Sequence, residues 1–159
     1  LPNEAMQRAM HTNLSKVGGV MYTEEDKAFA EQLRKTLAAN SPPVAEAAKV
    51  QPLKNEDGKA SADTGDVSWN VPLAAMRAAT WVPGTPPHSW QAVAAGGTPI
   101  GYKGMMVAAK TMALTAYDLI NDPKLLEEAK REFNERRGQD FKYESLIGDR
   151  KPPLDYMKR

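Results

Sequence analysis

The sequence predicts a helix-rich chain with four helices and one or two short strands, and this tally alone does not form a recognisable fold. Four stretches repeat their apolar residues at the spacing of an amphipathic helix. Residues 78–82 form a short run of β-formers closed by Pro83 and Gly84, and residues 67–71 form a weaker strand candidate. No hairpin signal or internal repeat accompanies them. Because a lone buried strand needs partners, we expect further strands elsewhere in this chain or in sequence beyond it.

The first two predicted helices carry signals at both ends. Asn3 suits the N-cap of a helix over residues 4–16, which two glycines bring to an end. Thr23 begins the second helix, with three acidic residues in its first turn. The apolar stripe of this second helix consists of Phe29, Leu33 and Leu37. We therefore assign residues 1–40 to a helical pair.

A long predicted loop separates this pair from the rest of the chain. Residues 41–64 are rich in Pro, Ala, Lys, Asn, Asp and Gly and show little periodicity. Loops of that length in compact domains are usually disordered or functional. We assign residues 65–159 to a third part of the chain.

This third part contains two further predicted helices. One covers residues 102–120 and has a broad apolar face whose small residues permit close packing against a sheet or another helix. The other covers residues 123–137, begins with a proline and ends at Gly138. The broad face comprises Met105, Met106, Ala109, Met112, Ala113, Ala116 and Ile120, and the stripe of the last helix comprises Leu125, Ala129 and Phe133.

Composition excludes several classes of protein. The 159 residues include no cysteine and two histidines, so a disulfide framework, a cysteine zinc site and a thiol nucleophile are ruled out. A net charge of +1 gives no basic footprint for nucleic acid or an anionic membrane. Lys110 and Asp118 interrupt the most apolar stretch, which therefore predicts a buried helix rather than a bilayer span. We expect neither nucleic acid nor a membrane as partner, and a cytoplasmic location.

The segment over residues 63–69 is the first candidate for chemistry. Asp63, Gly65, Asp66 and Ser68 place two carboxylates, a hydroxyl and a flexible residue together just before the weaker strand candidate. Paired acids of this kind bind a cation, orient a histidine or hold a substrate amine. The same residue types are the common turn formers, so the local sequence favours a solvated turn.

His88 is the second candidate. Prolines precede it, and it follows the β-rich run at the position where α/β proteins gather ligands. An imidazole there suits a metal ligand or a general base, whereas spacing alone favours a hydrogen-bonded surface histidine. His11 lies within the first helix and is expected on its surface. Since a metal site needs three or four protein ligands, this chain is not expected to form a complete zinc enzyme by itself.

Five segments, taken in order, resemble a known family of hydrolases. They are residues 63–69, 79–97, 103–105, 114–119 and 148–154. Together they resemble the C-terminal part of the aminobenzoyl-glutamate utilisation B branch of the metallopeptidase and amidohydrolase family that includes aminoacylase and carboxypeptidase G. The resemblance extends from about Leu1 to the end of the chain. The family often has Pro after its His-Ser pair, whereas Trp90 stands here, as in this branch.

The resemblance implies part of an enzyme. The catalytic domain of the family is an α/β/α sandwich interrupted by a lid or dimerisation domain, and this chain resembles the segment that follows the lid. Leu1 is not a Met, and no signal-peptide core follows it, so we expect the chain to start partway through a longer gene product. The expected partners are the remaining N-terminal part of the protein and a second subunit, in a homodimer or in a pair of homologous subunits.

The resemblance also implies a chemistry. Its members bind two divalent ions, zinc or manganese, and hydrolyse an amide in an N-acyl amino acid such as p-aminobenzoyl-glutamate or in a dipeptide. The last metal ligand in family order is a His followed by Ser, and His88 with Ser89 matches it. The acidic loop lies near the active site, which makes its four candidates substrate-pocket residues: Asp63, Gly65, Asp66 and Ser68. The catalytic Glu and the other ligands belong to motifs absent here, so the isolated chain is expected to be inactive.

A hypothesis from a different class is a non-catalytic helical module. In that case the apolar faces over residues 105–120 and 125–133 would dock a partner. An upstream reading frame with metal-ligand motifs favours the enzyme, and a start codon at Leu1 favours the module.

Overall fold

The computed structural model describes residues 1–54 and 62–154, and within these ranges the chain forms helices and no strand. Their order along the chain is α1 (Glu4–Val17), α2 (Glu24–Arg34), a 3-10 helix (Val44–Ala48), α3 (Thr64–Ser68), α4 (Trp90–Gly96), α5 (Pro99–Asn121) and α6 (Pro123–Arg137). The four predicted helices are thus present, and the bounds of α6 match the prediction. The predicted loop over residues 41–64 contains the 3-10 helix, and its residues 55–61 lie outside the described ranges.

Local side-chain bonds start the first two helices where the sequence predicts. The Asn3 side chain accepts a hydrogen bond from the Met6 amide at 3.0 Å. Thr23 and Asp26 form a capping box, in which each side chain accepts a bond from the backbone amide of the other. These bonds satisfy amides that a helix leaves unpaired at its N-terminus.

Helix α1 packs against α5 and α6 through buried polar contacts. The Asn13 side chain is buried and donates to the Thr115 hydroxyl at 3.3 Å and to the Asp118 carboxylate at 2.6 Å. The Glu132 carboxylate on α6 accepts from the amides of Glu4 and Ala5, both at 2.9 Å. Because buried polar groups cost free energy unless they are paired, these bonds fix how the three helices pack together.

A hydrophobic cluster joins α2, the 3-10 helix, α4 and the start of α5. Its fully buried members are Ala30, Leu33, Val44, Val82, Ala95 and Ile100. Val82 enters this cluster from an irregular segment and is only 1% exposed. The cluster therefore anchors the chain six positions before His88.

Both strand predictions are wrong for the described chain. Val67 lies in α3 and is followed by a turn, because the Ser68 hydroxyl donates to the Gly65 carbonyl at 2.6 Å and favours local over ladder bonding. Residues 78–82 are irregular: the Thr80 amide donates to the Ala78 carbonyl at 2.9 Å, a bend follows at Trp81, and no strand in the described ranges pairs with them. Nearby, the Gln7 side chain bonds both the amide and the carbonyl of Ala75, at 3.2 and 2.9 Å, as a neighbouring strand would.

The predicted burial of the broad α5 face is also wrong for the described residues. Its buried residues are Ile100, Gly101, Gly104, Thr111 and Thr115. The predicted face is exposed along its whole length, and Ile120 reaches 79%. Small and hydroxyl residues let α5 approach α1 and the backbone of Ala79 and Thr80 closely, so the larger apolar side chains lie on the opposite side. No helix in the described ranges has the length and hydropathy that a membrane crossing requires.

A partly buried ion pair between α2 and α5, formed by Lys103 and Asp26, predicts a pH dependence. Asp26 is bonded to Lys103 and to the Thr23 amide, and these contacts lower the pKa of its carboxyl below 3.8. A lowered folded-state pKa stabilises the protein above the unfolded pKa, and this contribution is lost as the pH falls through the folded value. We expect Asp26→Asn to lower the free energy of unfolding by about 1–2 kcal/mol at pH 7.

Urea unfolding at several pH values measures this difference. The deficit of Asp26→Asn should shrink as the pH falls below 3.8, because the unfolded chain then binds the proton first, and it should vanish as the pH falls through the lower folded-state pKa. Glu24→Gln is the matched control, because that carboxylate is in the same turn and its side chain is 90% exposed. A deficit that stays constant down to about pH 2 would contradict the assigned contribution.

Candidate functional site

His88 lies in a tight turn immediately before α4. Its φ angle is 57°, the only positive φ of a non-glycine residue in the described ranges. The next residue, Ser89, caps α4: its hydroxyl accepts from the Ala92 amide at 3.2 Å and donates to the Pro86 carbonyl at 2.7 Å. A left-handed conformation is costly for a residue with a side chain, so it persists only where the surroundings fix it.

The imidazole of His88 is exposed and unengaged. Within residues 1–54 and 62–154 no hydrogen bond or ion pair involves it. The prediction of a hydrogen-bonded surface histidine is therefore correct for the surface position and wrong for the bond. His11 differs, because its Nε2 lies 3.0 Å from the Gln51 carbonyl oxygen at the surface of α1. An exposed imidazole on an anchored turn has both ring nitrogens available to a ligand.

The 63–69 segment forms a short helix with an exposed acidic side. Asp63 precedes α3 without bonding to its amides through its side chain, and Asp63, Gly65 and Asp66 are all exposed. Ser68 is only 4% exposed, and its hydroxyl also accepts a bond from the amino group of Leu1 at 2.7 Å. The two carboxylates are therefore accessible, whereas the hydroxyl is occupied within the fold.

Two aromatic residues near the C-terminus join this segment, and the sequence did not indicate them. The ring of Phe141 stacks on Trp69 with centroids 4.7 Å apart. The Tyr143 hydroxyl donates to the Asp66 carboxylate, and this bond raises the pKa of Tyr143. Phe141 and Tyr143 lie two positions apart in a segment without regular secondary structure, and that spacing alone does not identify the contact.

The structure does not assemble the predicted residues into one site. No hydrogen bond or ion pair between described residues joins the His88 turn to α3. In the same ranges, no group of three His, Asp or Glu residues could hold a metal ion. The imidazole suits zinc or manganese as one ligand, so a complete metal site requires ligands that these residues do not supply.

A shallow cleft of about 260 Å³ lies between α1 and α6. Its charged side chains pair with one another: Arg136 bonds Glu4 at 2.6 Å, and Arg8 bonds Glu128 at 3.1 Å. None of the predicted site residues lines this cleft. Its charges serve the packing of the two helices.

Comparison with known proteins identifies a relative. The chain is 35% identical to the B subunit of p-aminobenzoyl-glutamate hydrolase from Escherichia coli over 160 aligned positions, which cover 85% of this chain. The resemblance predicted from the sequence is confirmed. The chain spans 33% of the length of this relative. No family model matches the chain, and no solved structure matches it significantly.

The match to the Escherichia coli protein includes both candidate segments. Because it covers 85% of 159 residues, its unmatched ends are too short to exclude His88 or residues 63–69. The name of this relative describes it as part of a hydrolase of p-aminobenzoyl-glutamate. The chain is thus similar to a component of a hydrolase in the region where its own candidate residues lie.

Proposed function

We propose that this chain is part of a hydrolase that cleaves the amide bond of p-aminobenzoyl-glutamate or of a related N-acyl amino acid or dipeptide. The observation that carries this proposal is the 35% identity to the Escherichia coli hydrolase component over 85% of the chain. The exposed carboxylates of Asp63 and Asp66 support it, since they suit hydrogen-bond donors of such a substrate. Gly65 lies between them, and the three residues would line the substrate pocket.

His88 supplies one ligand in this proposal. The active site uses two divalent ions, zinc or manganese, and the imidazole binds one of them. Three features support this role: the ring is exposed, it has no partner in the described ranges, and the turn that carries it is anchored by Val82 and α4. The remaining ligands come from polypeptide equivalent to the part of the Escherichia coli relative that this chain does not match. The ions would supply Lewis acidity toward the amide carbonyl.

The unmatched part of that relative also suggests what covers the 78–82 segment and the exposed apolar face of α5. The irregular segment over residues 78–82 pairs with no strand in the described ranges, and the large apolar residues of α5 lie on the exposed side of that helix. Strand pairing and apolar burial there would give the α/β/α sandwich of the expected family. We propose that the N-terminal part of the protein provides this cover, and that the assembly contains a second, identical or homologous, subunit in the cytoplasm.

A non-catalytic helical module is less favoured. That hypothesis requires the stripe of α6 to dock a partner, yet Ala129 and Phe133 are buried against the rest of the chain. The relative, moreover, is named as a component of a hydrolase. Of the two apolar faces that this hypothesis uses, only the one on α5 is exposed. The enzyme proposal explains that exposure, because the N-terminal part of the protein would cover this face.

Hydrolysis by the assembled protein tests the proposal. p-Aminobenzoyl-glutamate is incubated with the assembly, and released p-aminobenzoate is measured before chelation, after chelation and after addition of zinc or manganese. We expect activity that chelation removes and one of the metals restores. N-acetyl-glutamate and a dipeptide define the substrate class. Activity unaffected by complete metal removal would contradict the metal role, and no cleavage of any of the three substrates would contradict the hydrolase.

A further inference from the structure

A close contact joins the His88 turn to the segment after α2. Gly84 has a φ of 90°, and a Cβ placed on it would lie 2.6 Å from Ser41 Cβ and 2.7 Å from Ser41 Oγ. Pro42 Cδ would be 3.1 Å away. Ser41 is buried, so it has little room to withdraw. Only glycine combines this backbone conformation with so close an approach.

The Ser41 side of the contact is itself held in place. The Arg34 guanidinium at the end of α2 donates to the carbonyls of Ser41 and Pro42, both at 3.3 Å. The Ser41 amide donates to the Ala38 carbonyl at 2.9 Å. Two residues beyond Pro42, Val44 is buried in the hydrophobic cluster. Hydrogen bonds to Ser41 and Pro42 and the burial of Val44 therefore hold the segment over residues 41–44 in place.

The His88 turn needs such a support. It is anchored at one end by Val82 in the core and at the other by α4, whose Ala92 and Ala95 are buried. Between these anchors the chain passes Gly84 and three prolines before His88 adopts its left-handed φ. Strained conformations persist where the surrounding structure over-determines them.

We propose that the contact between Ser41 and Gly84, braced by Arg34, positions the His88 imidazole for its ligand. Ser41, Gly84 and Arg34 are then positioning residues, and none of them touches the metal or the substrate. This inference rests on the proposed metal-binding role of His88. It adds that the second helix and the segment after it determine whether His88 is correctly placed.

The test distinguishes two effects of an alanine at position 84: the clash of its Cβ with Ser41 and the strain of its positive φ. Gly84→Ala introduces both the strained φ and the clash with Ser41. Gly138→Ala is the matched control, because Gly138 has a φ of 83° and nothing within 4 Å of its added Cβ. Ser41→Gly combined with Gly84→Ala removes both Ser41 atoms from the clash. The double variant should therefore behave more like the wild type than Gly84→Ala does.

Two measurements are made on these variants. The first is the NMR spectrum of the histidine rings in the full chain, which has only two histidines and is assigned with His11→Ala. The second is the dissociation constant for zinc in the assembled protein. We expect Gly84→Ala to shift the His88 ring signals and raise the dissociation constant about 10- to 100-fold. Gly138→Ala should change neither, and Ser41→Gly should restore most of both.

The outcomes distinguish this proposal from the one on which it rests. Equal effects of Gly84→Ala and Gly138→Ala on the His88 ring signals would overturn the positioning role, as would the absence of rescue by Ser41→Gly. If instead the ring signals move as expected but His88→Ala leaves zinc binding unchanged, the proposed metal role fails and the positioning of the ring stands.

Discussion

Replacing His88 with alanine should lower zinc binding and amide hydrolysis by the assembled protein roughly 100-fold or more, while the chain remains folded. The imidazole is exposed and makes no bond within the described ranges, so its removal breaks nothing in the fold. A metal site that loses one nitrogen ligand retains its other ligands but loses affinity and geometry. The measurements are zinc content after dialysis, the rate of p-aminobenzoate release and the thermal unfolding midpoint.

His11→Ala is the control for this prediction. His11 is the other histidine of the chain, and it bonds the Gln51 carbonyl at the surface of α1. Its replacement should leave zinc content and hydrolysis within about twofold of the wild type. Thermal midpoints of the two variants should agree within a few degrees, because surface substitutions rarely change stability by more than about 0.5 kcal/mol. Unchanged zinc content and rate in His88→Ala would refute the role assigned to this residue.

The helices were largely predictable because their signals are local. The cap at Asn3, the capping box at Thr23 and the proline and glycine that bound α6 each act within one turn of the chain. Such signals are present in the sequence in the same form as in the structure. The three shorter helices offer weaker ones: α3 and the 3-10 helix have no side-chain cap bond, and α4 follows a turn dominated by prolines.

The packing of α5 was not predictable from its pattern. Its sequence is apolar on one face and small or hydroxyl-bearing on the other, and the rule of burying the larger apolar face selects the wrong side within this part of the chain. The hydrogen bonds of Asn13 to Thr115 and Asp118 determine which side of α5 faces α1. These two partners are about a hundred positions away from Asn13 in sequence. A single sequence contains no record of such a pairing.

The candidate site likewise combines features that the local sequence indicates with features that depend on distant residues. The choice of His88 as the best candidate for a metal ligand followed from the inventory of the chain and from its place after a run of β-formers. Its left-handed φ, the support from Ser41 and the contact of Tyr143 with Asp66 all depend on residues brought together by the fold. Chemistry-bearing residue types are therefore visible in sequence, whereas the residues that position them are not.

Gly104→Ala should cost about 3 kcal/mol of unfolding free energy, or roughly 10 °C in Tm. Gly104 lies on the side of α5 that contacts the irregular segment over residues 78–82. A Cβ there would overlap the carbonyl group of Ala79 and lie 2.9 Å from the Cα of Thr80. These are backbone atoms, so the segment must move as a whole, and Val82 is drawn from the core with it. The gain in helix propensity from glycine to alanine, about 1 kcal/mol, offsets only part of this cost.

Gly97→Ala is the matched control for Gly104→Ala, since an added Cβ at that position meets nothing within 4 Å and φ is −87°. Its free energy of unfolding should stay within about 0.5 kcal/mol of the wild-type value. Equal stability of the two variants in urea unfolding would show that the segment over residues 78–82 is not packed tightly against α5. Because Val82 leads directly into the His88 turn, Gly104→Ala should also weaken zinc binding at temperatures where the assembled protein is still folded. A single close approach between helix and backbone would then determine both the stability of the chain and the placement of its ligand.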